Sequence, residues 1–215
     1  LPGEVKEIQN HLDRGGNLLW LHDPGPLYGL EPLAESLGIE FLPGVIVDPF
    51  SAKLVGDDTA IVAGTYGRHP IVRNFFDVTL FPHTGGISLN TPEGWQGSTL
   101  IDTRESSWLE TGPLGGKMQF DKGRDIRGPL NLAVALAHDN EEKREQRVVV
   151  FSGGDFLANS YIANAGNLDL GMSLINWLSQ DDAYVSIPIK TARDRTLNLS
   201  RSAQIAIAAG FLAVL

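Results

Sequence analysis

Two polar clusters sit directly behind apolar runs: His22-Asp23 follows LLWL, and Ser152-Gly153-Gly154-Asp155 follows VVVF. In a parallel α/β sheet, ligands bind beyond the carboxyl ends of the strands, so if the two runs are neighbouring strands the clusters share one crevice. Gly153 and Gly154 would let backbone N–H groups approach an anion at the start of the next helix. Asp155 opposes that use, because a carboxylate there repels an anion and occupies the donors itself. The residues are thus expected to form a glycine turn with Asp155 as helix N-cap. A ligand bound by His22, Asp23, Ser152, Gly153, Gly154 and Asp155 would be small and polar, or a carbohydrate, rather than a nucleotide.

Other chemistries find less support. SGGDFLANS lacks the G-x-x-x-x-G-K-[ST] pattern, and no lysine follows to reach a phosphate. The histidines are scattered at positions 11, 22, 69, 83 and 138 without metal-ligand spacing. Ser152 lies on a strand-to-helix turn, but Phe151 precedes it and the nucleophile-elbow pattern is absent. The chain has no cysteine, which excludes disulfides, thiolate metal sites and a Cys nucleophile. No catalytic residue, metal or cofactor is assigned. A hydrolase acting through His22, Asp23 and Asp155, with or without a metal, is the alternative reading.

The elements that must position these residues follow from periodicity. Val5, Ile8 and Leu12 share one helical face ahead of Gly15-Gly16, and NLLWLHD reads as a buried parallel strand. Leu30, Leu33, Ala34 and Leu37 mark a second amphipathic helix closed by Gly38. Residues 130–138 and 147–153 are strands whose link, DNEEKREQ, is too short for a crossover helix, so an antiparallel hairpin is expected. An amphipathic stretch runs from SGGD to about Ile162. Asn167 then offers a side-chain cap for a helix through Leu178. Its expected core face carries Leu168, Met172, Ile175 and Leu178, widened by Leu170, Leu174 and Trp177, with Gly171 allowing close packing on the sheet. YVSIPIK is a last strand. This rhythm predicts an α/β core from residues 1–42 and 129–190. Residues 43–128, with short strands VIVD, TAIVAG, DVTLF and STLID and little helical periodicity, predict a β-rich elaboration of that core.

Composition sets outer limits. Hydrophobic content of 42% and charged content of 20% are those of a folded globular chain rather than a disordered one. A net charge of −9 without a basic stripe argues against nucleic acid as a partner. After a linker over 191–202, residues 203–215 run apolar to the last residue and are read as the start of a truncated transmembrane helix.

LPGEVKEIQNHLDRGGNLLWLHDPG resembles the "helix, Gly-Gly, apolar strand, Asp-Pro" segment of GldG-like auxiliary components of gliding-motility-type ABC transport systems. RHPIV at 68–72 and RVVVFSGGDFLANSYIANAGNLDLGMSLINWLSQDD are similar to that family's later segments, and the polar stretch before the apolar tail to its approach to a membrane helix. The resemblance implies a flavodoxin-like or class I glutamine-amidotransferase-like α/β three-layer sandwich. It implies a periplasmic domain on the bacterial inner membrane, and ABC permease and ATPase subunits as partners. Catalysis is not implied, since the superfamily's amidotransferases use a Cys nucleophile that this chain lacks. Lys190, Arg193, Arg195 and Arg201 before the tail pull toward the cytoplasmic side instead, although long domains translocate with little regard to charge.

Overall fold

The stripe of Val5, Ile8 and Leu12 does form a helix, α1 (Pro2–Asp13), which buries Val5 and Leu12. It stops where the Gly15 and Gly16 N–H groups return to the Leu12 and His11 carbonyls at 2.8 and 2.9 Å. Strand β1 (Leu18–Leu21), helix α2 (Glu31–Ser36) and strand β2 (Ile39–Leu42) follow. This is a computed structural model that describes residues 2–116, 118–139 and 145–181. Its later elements are β3 (Val45–Val47), α3 (Pro49–Val55), β4 (Ala60–Ala63), β5 (Thr79–Pro82), β6 (Gly86–Leu89) and β7 (Trp95–Asp102). Then come β8 (Trp108–Glu110), β9 (Ile126–Arg127), β10 (Asn131–Asp139), β11 (Glu145–Phe151), a 3-10 turn (Asp155–Leu157) and α4 (Asn167–Leu178).

The frame is a mixed α/β fold on a six-stranded sheet ordered β1-β11-β10-β6-β2, with β7 also paired to β10. β1 runs parallel to β11, Leu18 opposite Val148 through Leu21 opposite Phe151. β10 and β11 form the expected antiparallel hairpin, from Ala133 opposite Phe151 to Asp139 opposite Glu145. Residues 43–128 contribute β6 and β7 to this sheet as well as two smaller sheets, β3-β8-β9 and β4-β5. They also hold α3, which seven residues of apolar periodicity could not announce. Its signal is local: Asp48 accepts from the Phe50 and Ser51 N–H groups at 3.1 and 3.3 Å, and Pro49 starts the helix.

Alternation along the central strands divides the core. Val134, Leu136, Val148 and Val150 point to the face covered by α1 and α2. Ala133, Ala135, Val149 and Phe151 point to the other face, where α4 and the small sheets pack. There the Phe81, Phe151 and Phe156 rings stack or tilt with centroids 4.8 to 6.1 Å apart. Each such ring, fully buried, contributes about 1.5–3 kcal/mol. β1 departs from the expected buried strand: only Trp20 is buried and its neighbours are half-exposed, because β11 covers just one of its edges among the described residues.

Helix α4 corrects two expectations. Its buried face is Asn167, Leu170, Gly171, Leu174 and Trp177, whereas Leu168, Met172 and Ile175 stand on the exposed side. Both stripes have helical spacing. Gly171 lies on the inward one: a Cβ there would lie 2.7 Å from Leu157 Cδ2, so this side meets the 3-10 turn as well as the sheet. Asn167 is not the cap. Gly166 holds that position, and Asn167 is the first helical residue, wholly buried. Its Oδ1 accepts from the Leu80 N–H, and its Nδ2 donates to Leu80 O, both at 2.9 Å, and shares its two hydrogens with Phe156 O and Tyr161 O, each at 3.1 Å. The amphipathic stretch expected up to Ile162 is the 3-10 turn followed by further turns. YVSIPIK, the linker and the apolar tail lie outside the described residues, among which no helix is long and apolar enough to cross a membrane.

Replacing Asn167 strands the Leu80 N–H and the carbonyls served by its two amide hydrogens, each unsatisfied group costing about 1–3 kcal/mol. Asn167→Ala is expected to lower unfolding free energy by at least about 3 kcal/mol in urea titrations, and Asn167→Asp to do no better, since it lacks the donor.

Candidate functional site

Parallel pairing brings the two polar clusters to one edge of the sheet. The β1–β11 register continues past Leu21 with a 3.0 Å bond from the His22 N–H to Phe151 O. His22-Asp23 and Ser152–Asp155 therefore leave adjacent strands side by side. Within that shared edge the side chains diverge. Asp23 Oδ1 accepts from the Gly154 N–H at 2.8 Å, so the carboxylate that occupies a donor at this turn comes from the neighbouring strand. Gly154 itself is the N-cap of the 3-10 turn and has no side-chain cap, while Asp155 is exposed. The expected N-cap role of Asp155 is thus corrected: the turn places its carboxylate outward.

Ser152 is buried beneath the Thr84–Gly85 segment, its carbonyl accepting from the Gly85 N–H at 3.0 Å and from the Thr84 hydroxyl. Gly153 has φ +137°, and a Cβ there would sit 3.0 Å from Thr84 Oγ1, so backbone and space both demand glycine. His22 turns toward the α1–α2 side, its ring edge-on to Phe41 at 4.5 Å and its Nε2 3.3 Å from Gly25 O. No side chain of His22, Ser152 or Asp155 hydrogen-bonds another of that set, so these residues lack the nucleophile–base contact of acyl transfer. Among the described residues no group of three His, Asp or Glu side chains is placed to hold a metal. Asp23→Ala is expected to cost about 1 kcal/mol by losing its acceptor, whereas Asp23→Asn keeps one and stays near wild type in thermal melts.

Concave space lies elsewhere. A cleft of about 630 Å³ opens on the α4 side, where the starts of β7 and β11 meet the end of β10. Gly67 docks the loop after β4 onto β7: its N–H donates to Leu100 O at 2.8 Å, and a Cβ would lie 2.3 Å from Thr99 O. The next residues turn back on themselves, the Val72 and Arg73 N–H groups both donating to His69 O at 2.9 Å, with Ile71 and Val72 buried beneath. Arg68 and Arg73 flank this turn and line the cleft. Arg147 lines it from β11, donating to Trp177 O at 2.7 Å and paired with Glu145. Its guanidinium also lies over the Trp177 ring, 4.9 Å from the centroid, at the carboxyl end of α4 where a cation is favoured.

His69 stands edge-on to Trp177 at 4.7 Å. Burial, and then the nearby Arg147 charge, pushes its pKa down from 6.5 to about 4. Its Nδ1 accepts from the Ile71 N–H at 3.4 Å, which also requires an unprotonated nitrogen. The ring is therefore neutral near pH 7. The sequence singled out RHPIV only as part of a resemblance. Arg68, Arg73 and Arg147 escaped because they are spread over eighty positions and meet only in space. A second cleft of about 600 Å³ has its Asp48 committed to capping α3 and its Arg104 laid over Phe50 at 3.8 Å.

The pH consequence has a definite sign. Unfolded, the His69 imidazole takes up a proton near pH 6.5; folded, it resists until about pH 4. Its contribution to stability is complete above 6.5 and declines as pH falls toward 4. His69→Asn retains an acceptor but does not titrate, so its melting temperature is expected to fall less than that of wild type across this window.

No family model matches the chain, and no curated protein matches it in sequence. Among solved structures it is similar to one titled "mmIFT52 N-terminal domain", with a TM-score of 0.60 and 14% identity, over 83% of this chain and 72% of that one. At that identity the likeness speaks for the fold alone.

Proposed function

We propose that the chain is a non-catalytic binding and scaffolding domain of an ABC-type transport complex of the gliding-motility kind. Its partners are the permease and ATPase subunits, and its C-terminal apolar run anchors it to the inner membrane with this domain on the periplasmic side. The finer fold belongs to the same reading: a flavodoxin-like or class I glutamine-amidotransferase-like three-layer sandwich, with α1 and α2 on one face of the sheet and α4 on the other. The observation that carries the non-catalytic part is the bond from Gly154 to Asp23. It closes the turn at the strand ends with a structural contact, while Ser152 is buried and Asp155 points outward. The N-terminal segment, RHPIV and the α4 region support the transport part through their resemblance to GldG-like components.

In the source organism, the full-length gene product is expected to sediment with membranes and to co-purify with an ABC permease and ATPase. Removal of residues 203–215 should release it from the membrane. A full-length product found wholly in the soluble fraction would sink the anchoring, and membrane-bound protein without either ABC subunit would sink the transport assignment.

A further inference from the structure

We propose that the cleft beside the RHPIV turn binds a small ligand through an oxyanion, a phosphate monoester or a carboxylate, held between Arg68 and Arg73. This names the ligand class of the binding domain proposed above and rests on the binding part of that reading, not on membrane attachment.

The argument begins with charge. The chain as a whole carries −9, yet this cleft is lined by three arginines against the single glutamate Glu145. Arg147 is committed to Glu145 and Trp177 O, and so shapes the wall. Arg68 and Arg73 are different: both are exposed, and neither guanidinium has an ion pair or hydrogen bond with any other described residue. Both guanidiniums line the cleft without a protein acceptor, and a planar fork of donors matches the oxygens of carboxylate or phosphate.

Position comes next. The turn that carries both arginines is anchored by the Gly67 contact with β7, by two bonds to His69 O and by buried Ile71 and Val72. Its arginines are therefore presented from a fixed backbone, which lowers the ordering cost of binding. A neutral His69 between them adds no third charge that would need compensation. On the β7 wall, Gln96 and Ser98 line the same cleft with side chains free of hydrogen bonds to described residues, ready for the uncharged polar groups of a ligand. The volume, about 630 Å³, lies in the range of small-molecule sites, and the concave shape favours a compact ligand over an extended acidic peptide.

The test is calorimetric titration of the full-length protein at low ionic strength with glycerol 3-phosphate, malonate and, as uncharged control, glycerol. The first two separate phosphate from carboxylate. At least one is expected to bind saturably, more weakly as salt is added, while glycerol does not bind. Arg68→Gln with Arg73→Gln should weaken binding at least about tenfold, with the melting temperature unchanged because both side chains are exposed. Arg14→Gln, exposed just past the end of α1, should leave binding as it was. The proposal is overturned if neither charged probe binds, if the double variant binds like wild type, or if a Glu-rich peptide binds and both small anions do not. None of these outcomes alters membrane sedimentation, so the two readings fail separately.

Discussion

The buried amide of Asn167 gives Leu80 what a neighbouring strand would give: an acceptor for its N–H and a donor for its carbonyl. The same nitrogen gathers the carbonyls of Phe156 and Tyr161. One side chain thereby joins β5, the turn after β11 and the start of α4, three segments that share no ladder of hydrogen bonds. Polar backbone so far from water has to be satisfied, and a single primary amide reaches four such groups, sharing its two hydrogens among three carbonyls. The Phe81–Phe151–Phe156 cluster packs around the same junction, so apolar burial and amide geometry select one arrangement together.

The far end of α4 is held by a related device. Arg147 donates to Trp177 O and Asn17 Nδ2 donates to Leu178 O at 2.6 Å, while Asn17 Oδ1 accepts from the Arg147 N–H. Gln146 reaches the Leu12 and Gly16 carbonyls at 2.9 Å on the opposite side of the sheet. Adjacent residues of one strand thus tie both helical layers to it, as the alternation of a strand permits. The cleft follows from this tethering, because α4 ends beside the β7 edge where the RHPIV turn docks.

Electrostatics distinguishes the two ends of β11. At the carboxyl ends of β1 and β11, an acid and a backbone N–H satisfy each other and leave little for a ligand. At the opposite end of β11, arginines gather around a histidine held neutral by burial, within a chain that is acidic overall.

Much of the frame was legible in the residues. The α1 stripe, the Gly15-Gly16 stop, the parallel LLWL run and the β10–β11 hairpin depend on local periodicity and on loop length, both of which a sequence carries. The meeting of His22-Asp23 with Ser152–Asp155 depended on the two strands being neighbours, which the residues left open and the β1–β11 pairing supplies. Tertiary structure alone decided which apolar stripe of α4 turns inward, since Leu168-Met172-Ile175 and Leu170-Leu174-Trp177 have equal claim by spacing, and Gly171 lies on the inward one against Leu157. It alone made Asn167 a strand partner instead of a cap, gave the Gly154 N–H to Asp23, and drew Arg68, Arg73 and Arg147 to one cleft. The physical reason is common to all of these. Periodicity reports what each segment offers to its surroundings, whereas the partner of a buried polar group or a charge is set by which distant segments the packed core places beside it.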